Sequence, residues 1–258
     1  MTIMEDFTQT LVHYKVAFVL IWLAFIFILE IFSPILARIK NPSRFLNNLG
    51  LWGVNSAISL LVIIPVASWA TEHTISWRPE ISPIWVLIIV DFLILDALIY
   101  WWHRANHEIV FLWKFHEIHH LDQFLDITTS VRFHFGEVVL STCFRVIIII
   151  LLDIPFISVV VFEILLLMAS GFHHANIKIS KSWETRLSMV FVTPSIHGVH
   201  HHAIRADTNS NYSSVLSCWD RFFKSQNRKS RTPDLLIGVE NEIDVGFLNL
   251  LIRPFLNK

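Results

Sequence analysis

The sequence predicts an all-α, polytopic membrane protein: three spans, a helical hairpin and a histidine-rich helical cap on the cytoplasmic side. Three observations carry this. Of 258 residues, 54% are hydrophobic and only 16% charged, against about 25% charged in soluble domains; mean hydropathy is +0.56. Apolar runs of the roughly 20 residues that cross a bilayer recur along the chain. Twelve of the fourteen histidines fall between His103 and His202, at or beyond the ends of those runs.

The elements follow in order. The first fifteen residues lack the basic start of a signal peptide, so the run Val16 to Leu36 is expected to stay as a span. A basic loop with Arg38, Lys40 and Arg44 follows it. Leu51 to Ala70 is a second span, the polar stretch TEHTISWRPE separates it from a third, and Ile84 to Trp102 is that third. The apolar run from Val138 to Gly171 is too long for one upright helix at about 1.5 Å per residue. Asp153 and Pro155 interrupt it, which predicts a hairpin that enters and leaves by one side. Beyond Phe172 the chain is polar with short apolar patches, and Leu248 to Leu256 reads as a small interfacial helix. No internal repeat or low-complexity tract breaks the chain, so residues 1–258 read as one membrane-embedded domain.

Lysine and arginine mark the side that stays in the cytoplasm. They crowd the loop after the first span, the segment with Arg104, Lys114 and Arg132, and the tail from Lys178 to Arg231. The loop after the second span has only Arg78. This bias places the N-terminus outside and every histidine cluster on the cytoplasmic face. His13 and His73 fall on the other side. A net charge of −1 gives no argument for nucleic acid. Two cysteines, Cys143 and Cys218, are too few for a disulfide framework or an iron–sulfur cluster.

The histidines are spaced to converge. His103 and His107 lie four apart, on one helical face, and Asp96 and Tyr100 continue that stripe into the span. A carboxylate there needs a partner, and the second ring nitrogen of a ligating histidine, or Tyr100, would supply one. His116, His119 and His120 form one HxxHH cluster, and His197, His200 and His201 repeat the spacing. Three imidazoles within a turn repel each other when protonated, and a metal ion removes the conflict. Eight such rings exceed what one ion needs. His134, in SVRFHFGE, and His174, at the hairpin's end, are the expected additions to the shell; His173 reads as a polar group at the membrane exit, and His202 points elsewhere. The segment HEIHH also fits HExxH, with His116 and His120 as zinc ligands and Glu117 as general base, so an intramembrane zinc protease is the alternative reading. A metal store or transporter is a third, although transporter sites usually lie near the midplane.

Four strings taken together resemble the fatty acid hydroxylase/sterol desaturase superfamily. They are Asp96-Tyr100-His103-Arg104-His107, Leu112-Trp113-His116-His119-His120, Thr193-Pro194-His197-His200-His201 and Asn211-Tyr212-Trp219-Asp220-Arg221, and they span residues 96–223. The chain departs from the pattern at Phe135, where many members have proline, and at Lys224, where many have glycine. The resemblance implies an enzyme with two ferrous ions that uses O2 to hydroxylate or desaturate a lipid or sterol C–H bond. Imidazole alone does not name the metal; the resemblance selects iron. Each turnover needs two electrons, and without a flavin, nicotinamide, haem or iron–sulfur motif an external donor protein is expected. The run Arg221, Lys224, Arg228, Lys229, Arg231 reads as a docking patch for an acidic carrier or anionic lipid, or as plain positive-inside bias. Trp101, Trp102 and Trp113 are expected to line a substrate channel or anchor the interface. Arg145, inside the hairpin, needs Glu163, Asp153 or a lipid headgroup as partner.

Overall fold

Helices carry the whole architecture of the computed structural model, which describes residues 3–79 and 83–256. Five of them are long and apolar enough to cross a bilayer. The first, α1 (Ile3–Phe32), begins earlier than the apolar run and stops where Ser33 and Pro34 follow. Next, α2 (Pro42–Ile58) starts behind an Asn41 cap whose side chain accepts from the Arg44 N–H at 3.0 Å. It continues through a widened turn, Ser59–Ile63, into α3 (Ile64–Glu72). Pro65 explains the widening: it has no N–H to offer the preceding turn, so the helix loosens by one residue without breaking. The tip of the polar loop after α3, residues 80–82, lies outside the described residues.

α4 (Ile84–Glu108) runs six residues past the predicted end of the third span, which puts His103 and His107 on its last turns. One extended residue, Ile109 (φ −96°, ψ 114°), then turns the chain into α5 (Val110–His120). The predicted hairpin is α6 (Phe135–Leu152) and α7 (Phe156–His174), and each arm is long enough to cross. Asp153 takes a left-handed conformation (φ 51°) that closes α6, and Pro155 opens α7. Shorter helices build the cap: α8 (Lys181–Leu187), α9 (Pro194–His200), α10 (Arg205–Thr208), α11 (Cys218–Phe222) and α12 (Phe247–Ile252).

Within the bundle, α7 packs on α1 and α4, and α6 packs on α3. Outward-facing side chains such as Ile21, Leu61 and Ile147 are exposed, as expected of helices whose solvent is lipid. Leu95, Ile149, Ile154 and Phe162 form a core beneath the hairpin turn. At the other end Leu51, Ile118, Leu121 and Leu250 join the cap to the bundle. Buried arginines fasten the same junction. Arg44 pairs with Asp122 and Asp126, while Arg132 donates to the Ile118 carbonyl (2.8 Å) and Asn48 Oδ1 (2.9 Å). Inside the bundle Arg145 approaches Glu163 at 3.5 Å, not Asp153, and Lys15 of α1 is the closer partner of that carboxylate.

Candidate metal centre

The ends of α4 and α7, with α5 and α9, deliver nine imidazoles to one buried place. His103, His107, His116, His120 and His200 offer nitrogens that all lie within 4.8 Å of one another; His119, His174, His197 and His201 do the same. The two groups interlock. Each HxxHH cluster sends its i, i+4 pair to one group and its middle histidine to the other: His116 and His120 join His200, while His197 and His201 join His119. That division explains why the spacing occurs twice. His103 and His107 then complete the first group and His174 the second.

The hydrogen bonds fix which ring nitrogens carry protons. His119 Nδ1 lies 3.0 Å from the Arg132 carbonyl and His174 Nδ1 lies 2.8 Å from the Ser170 carbonyl. A carbonyl only accepts, so both Nδ1 atoms are protonated and both Nε2 atoms of the neutral rings carry lone pairs. Those Nε2 atoms face each other at 3.0 Å, and His197 Nε2 sits 3.0 Å from His174 Nε2. Facing lone pairs at this distance repel unless a cation lies among them. In the other group His200 Nε2 is buried without a hydrogen-bond partner among the described residues, and so are both nitrogens of His107. A proton is a poor substitute for a metal ion here. Burial, reinforced by neighbouring imidazoles, holds His119, His120, His197, His200 and His201 well below the usual value of 6.5. They are neutral near pH 7, as metal-binding imidazole must be. The residues present therefore fit a pair of metal ions.

Outer nitrogens are held mainly by the backbone. His103 Nδ1 donates to the Tyr212 carbonyl (2.8 Å) and His200 Nδ1 to that of Ser210 (2.7 Å). His116 is different: its Nδ1 meets Glu137 Oε1 at 2.8 Å. Sequence reasoning passed over Glu137, although an acidic residue in the first turn of a mostly apolar helix is a usable signal. Phe133 stacks on His119 with centroids 4.4 Å apart, and Trp113 covers His107 at 5.1 Å.

Several expectations change. His134 is apart from both groups: its Nε2 bonds the Leu251 carbonyl (3.0 Å) and its Nδ1 accepts from the Gly136 N–H, so it caps α6 and holds α12. Asp96 and Tyr100 touch no histidine through their polar atoms. Asp96 accepts from the Val215 and Leu216 N–H groups and from Trp219 Nε1, and the Tyr100 hydroxyl pairs with Ser225 Oγ at 2.8 Å. Both pin the 212–225 loop, whose Tyr212 carbonyl holds His103. His202 turns away to Asp207 (2.7 Å), as its position implied. His173 bonds the Ser214 carbonyl at 3.1 Å and lies against the His197 ring, outside both groups. Glu117 lies in neither group, and both its oxygens accept from Arg253 (3.1 and 3.2 Å), so it is placed as an ion-pair partner rather than as the base of a zinc protease. The basic run lies largely at the surface, with Lys224 and Arg228 exposed, but three of its members make internal contacts. Arg221 donates to the Met189 carbonyl, Lys229 pairs with Asp207 and Arg231 is buried.

The fatty acid hydroxylase family model matches residues 88–225, which take in every histidine of both groups. The chain belongs to the fatty acid hydroxylase family. Relatives within reach of this family assignment include ornithine lipid hydroxylase OlsE of Rhizobium tropici, 26% identical over 77% of this chain and 59% of that protein. Alkylglycerol monooxygenase of Danio rerio is 30% identical over 51% of this chain and 28% of its own length. Cholesterol 25-hydroxylase of Rattus norvegicus is 24% identical over 83% of this chain and 74% of that protein. The chain thus spans about three fifths of the first relative and under a third of the second. No solved structure matches the chain significantly.

Proposed function

We propose that this chain is a single-domain, membrane-bound di-iron oxygenase that inserts one oxygen atom of O2 into a lipid or sterol C–H bond. The observation that carries the reading is the convergence of nine buried or half-buried imidazoles, with Nε2 atoms face to face at 3.0 Å in the four-histidine group. His103, His107, His116, His120 and His200 would hold one ion, and His119, His174, His197 and His201 the other. The second group would supply one nitrogen fewer to its ion than the first. Bound iron would supply the redox chemistry that couples O2 to an unactivated C–H bond.

The chain's own residues orient and seal. Backbone carbonyls of Arg132, Ser170, Ser210 and Tyr212 set four rings, and Glu137 sets a fifth. Such outer partners fix the tautomer and raise ligand basicity. Phe133, Trp113 and Tyr212 cover the rings and limit water. For hydroxylation the balance is RH, O2, two electrons and two protons to ROH and water, so the reading includes an external electron donor. The lysine and arginine bias supports a cytoplasmic position for the cap. The relatives' names, a lipid hydroxylase, an alkylglycerol monooxygenase and a cholesterol hydroxylase, favour hydroxylation over desaturation.

Lipid extracts from cells with and without the chain, compared by mass spectrometry, test this. A lipid heavier by one oxygen is expected, and a species lighter by two hydrogens would mean desaturation. His119→Ala and His200→Ala should each lose one iron per chain, from different groups, and lose the product as well. Unchanged iron in either variant would overturn the ligand assignment.

A further inference from the structure

Arg231 belongs to a basic run that is otherwise largely at the surface, yet it is only 8% exposed. Its guanidinium donates from Nη1 to the Ala175 carbonyl (3.0 Å) and from Nη2 to the Leu125 carbonyl (2.8 Å). Its backbone N–H donates to Ser195 Oγ at 3.2 Å. Its aliphatic stem lies on Gly198 so closely that a Cβ there would overlap Arg231 Cδ. These contacts are not scattered. Ala175 directly follows His174. Gly198 sits between His197 and His201, and Ser195 precedes His197 by two residues. Leu125 belongs to the segment that leaves α5 after His119. Every chain segment that contributes to the four-histidine group is therefore touched by this one side chain. In the five-histidine group, His103 and His107 lie on α4, which it does not touch, and the Tyr212 carbonyl holds His103; His116, His120 and His200 share α5 and α9 with the four-histidine group, to which α7 contributes His174 alone.

We propose that Arg231 is the positioning residue of the four-histidine group, a single guanidinium that sets the separation of the three segments from which those imidazoles come. This rests on the reading that the groups hold metal. A planar fork with diverging donors reaches two carbonyls at once, whereas a lysine ammonium on its flexible stem holds less geometry. Gly198 is the matching half of the device, because any side chain there displaces the arginine stem.

The test uses the full chain in detergent micelles, loaded with cobalt(II) as probe. Wild type should take up two ions per chain. Arg231→Met should keep one with unchanged affinity and bind the other about 10–100-fold more weakly, the usual effect of losing an outer partner. Arg231→Lys should fall between. Gly198→Ala should reproduce the loss with the arginine present, which covers the case that Arg231→Met fails to fold. The site affected is read from visible cobalt absorption: the spectrum of Arg231→Met should match that of His119→Ala and differ from that of His200→Ala. Two ions of unchanged affinity in Arg231→Met and Gly198→Ala would overturn the proposal, as would equal weakening of both sites at full helical content. A wild type that binds no cobalt would instead remove the metal reading itself, so the two failures are distinguishable.

Discussion

A metal-binding imidazole usually donates its second nitrogen to an outer partner, and among the described residues a carboxylate plays that part for His116 alone of the nine converging histidines. Glu137 lies buried at the start of α6, and its other oxygen, Oε2, has no hydrogen-bond partner among the described residues. A carboxylate at this place fixes the orientation and tautomer of the His116 ring, as outer partners of metal-bound histidines do. Glu137→Gln keeps an acceptor but removes the charge. It should weaken one of two bound ions about 10-fold or more, measured by competition with a chelator, and equal affinity in the variant would count against that role. The neutral rings also set a pH dependence. His119, His120, His197, His200 and His201 have folded-state values below the unfolded value of about 6.5. Below that pH the unfolded chain takes up protons that the folded, metal-free chain refuses. Stability is therefore constant above about pH 7 and falls as pH drops through 6.5. Thermal unfolding of the metal-free protein across pH 5 to 8 would check the sign, and a melting temperature that rises on acidification would contradict it.

At the scale of elements, the decisive features are where helices end and what joins them. One extended residue, Ile109, separates α4 from α5 and turns two histidine-bearing helices toward each other. The loop at 212–225 closes the opposite side, held to α4 by Asp96. Asp96→Ala would leave two backbone N–H groups and the Trp219 ring N–H without an acceptor in a buried place. Each such donor costs about 1–3 kcal/mol, so a loss of several kcal/mol in unfolding free energy is expected from denaturation in micelles. A change of under about 1 kcal/mol would show that the loop is held by other contacts. Because Tyr212 of this loop holds His103, the same variant should also weaken the five-histidine group.

Across the whole molecule, five apolar helices place a polar, arginine-fastened cap at one end of the bundle, and the histidines lie at that junction. Much of this was legible in the chain. Hydropathy located the spans and the hairpin break at Asp153 and Pro155, because a bilayer demands long apolar runs and a turn demands special residues. Helical spacing marked eight of the nine imidazoles that converge, because residues three or four apart share a face, and the hairpin's end marked His174. His134 was misplaced: its neighbourhood resembles a ligand element, yet nothing local reveals that both its nitrogens are taken by Gly136 and Leu251. Asp96 was rightly singled out as needing a partner, but its partner lies more than a hundred residues away.

The sequence by itself determined the membrane class and eight of the nine converging imidazoles, since these depend on composition and on periodicity within single helices, and its four motifs carried the resemblance to the family. Only the tertiary structure decided how the imidazoles divide into five and four, which carbonyl or carboxylate orients each ring, and that Arg231 and Glu117 serve internal contacts instead of a surface or a proton transfer. Those outcomes depend on distances between segments far apart in the chain, and such distances are set by packing of the bundle against its cap rather than by any local pattern.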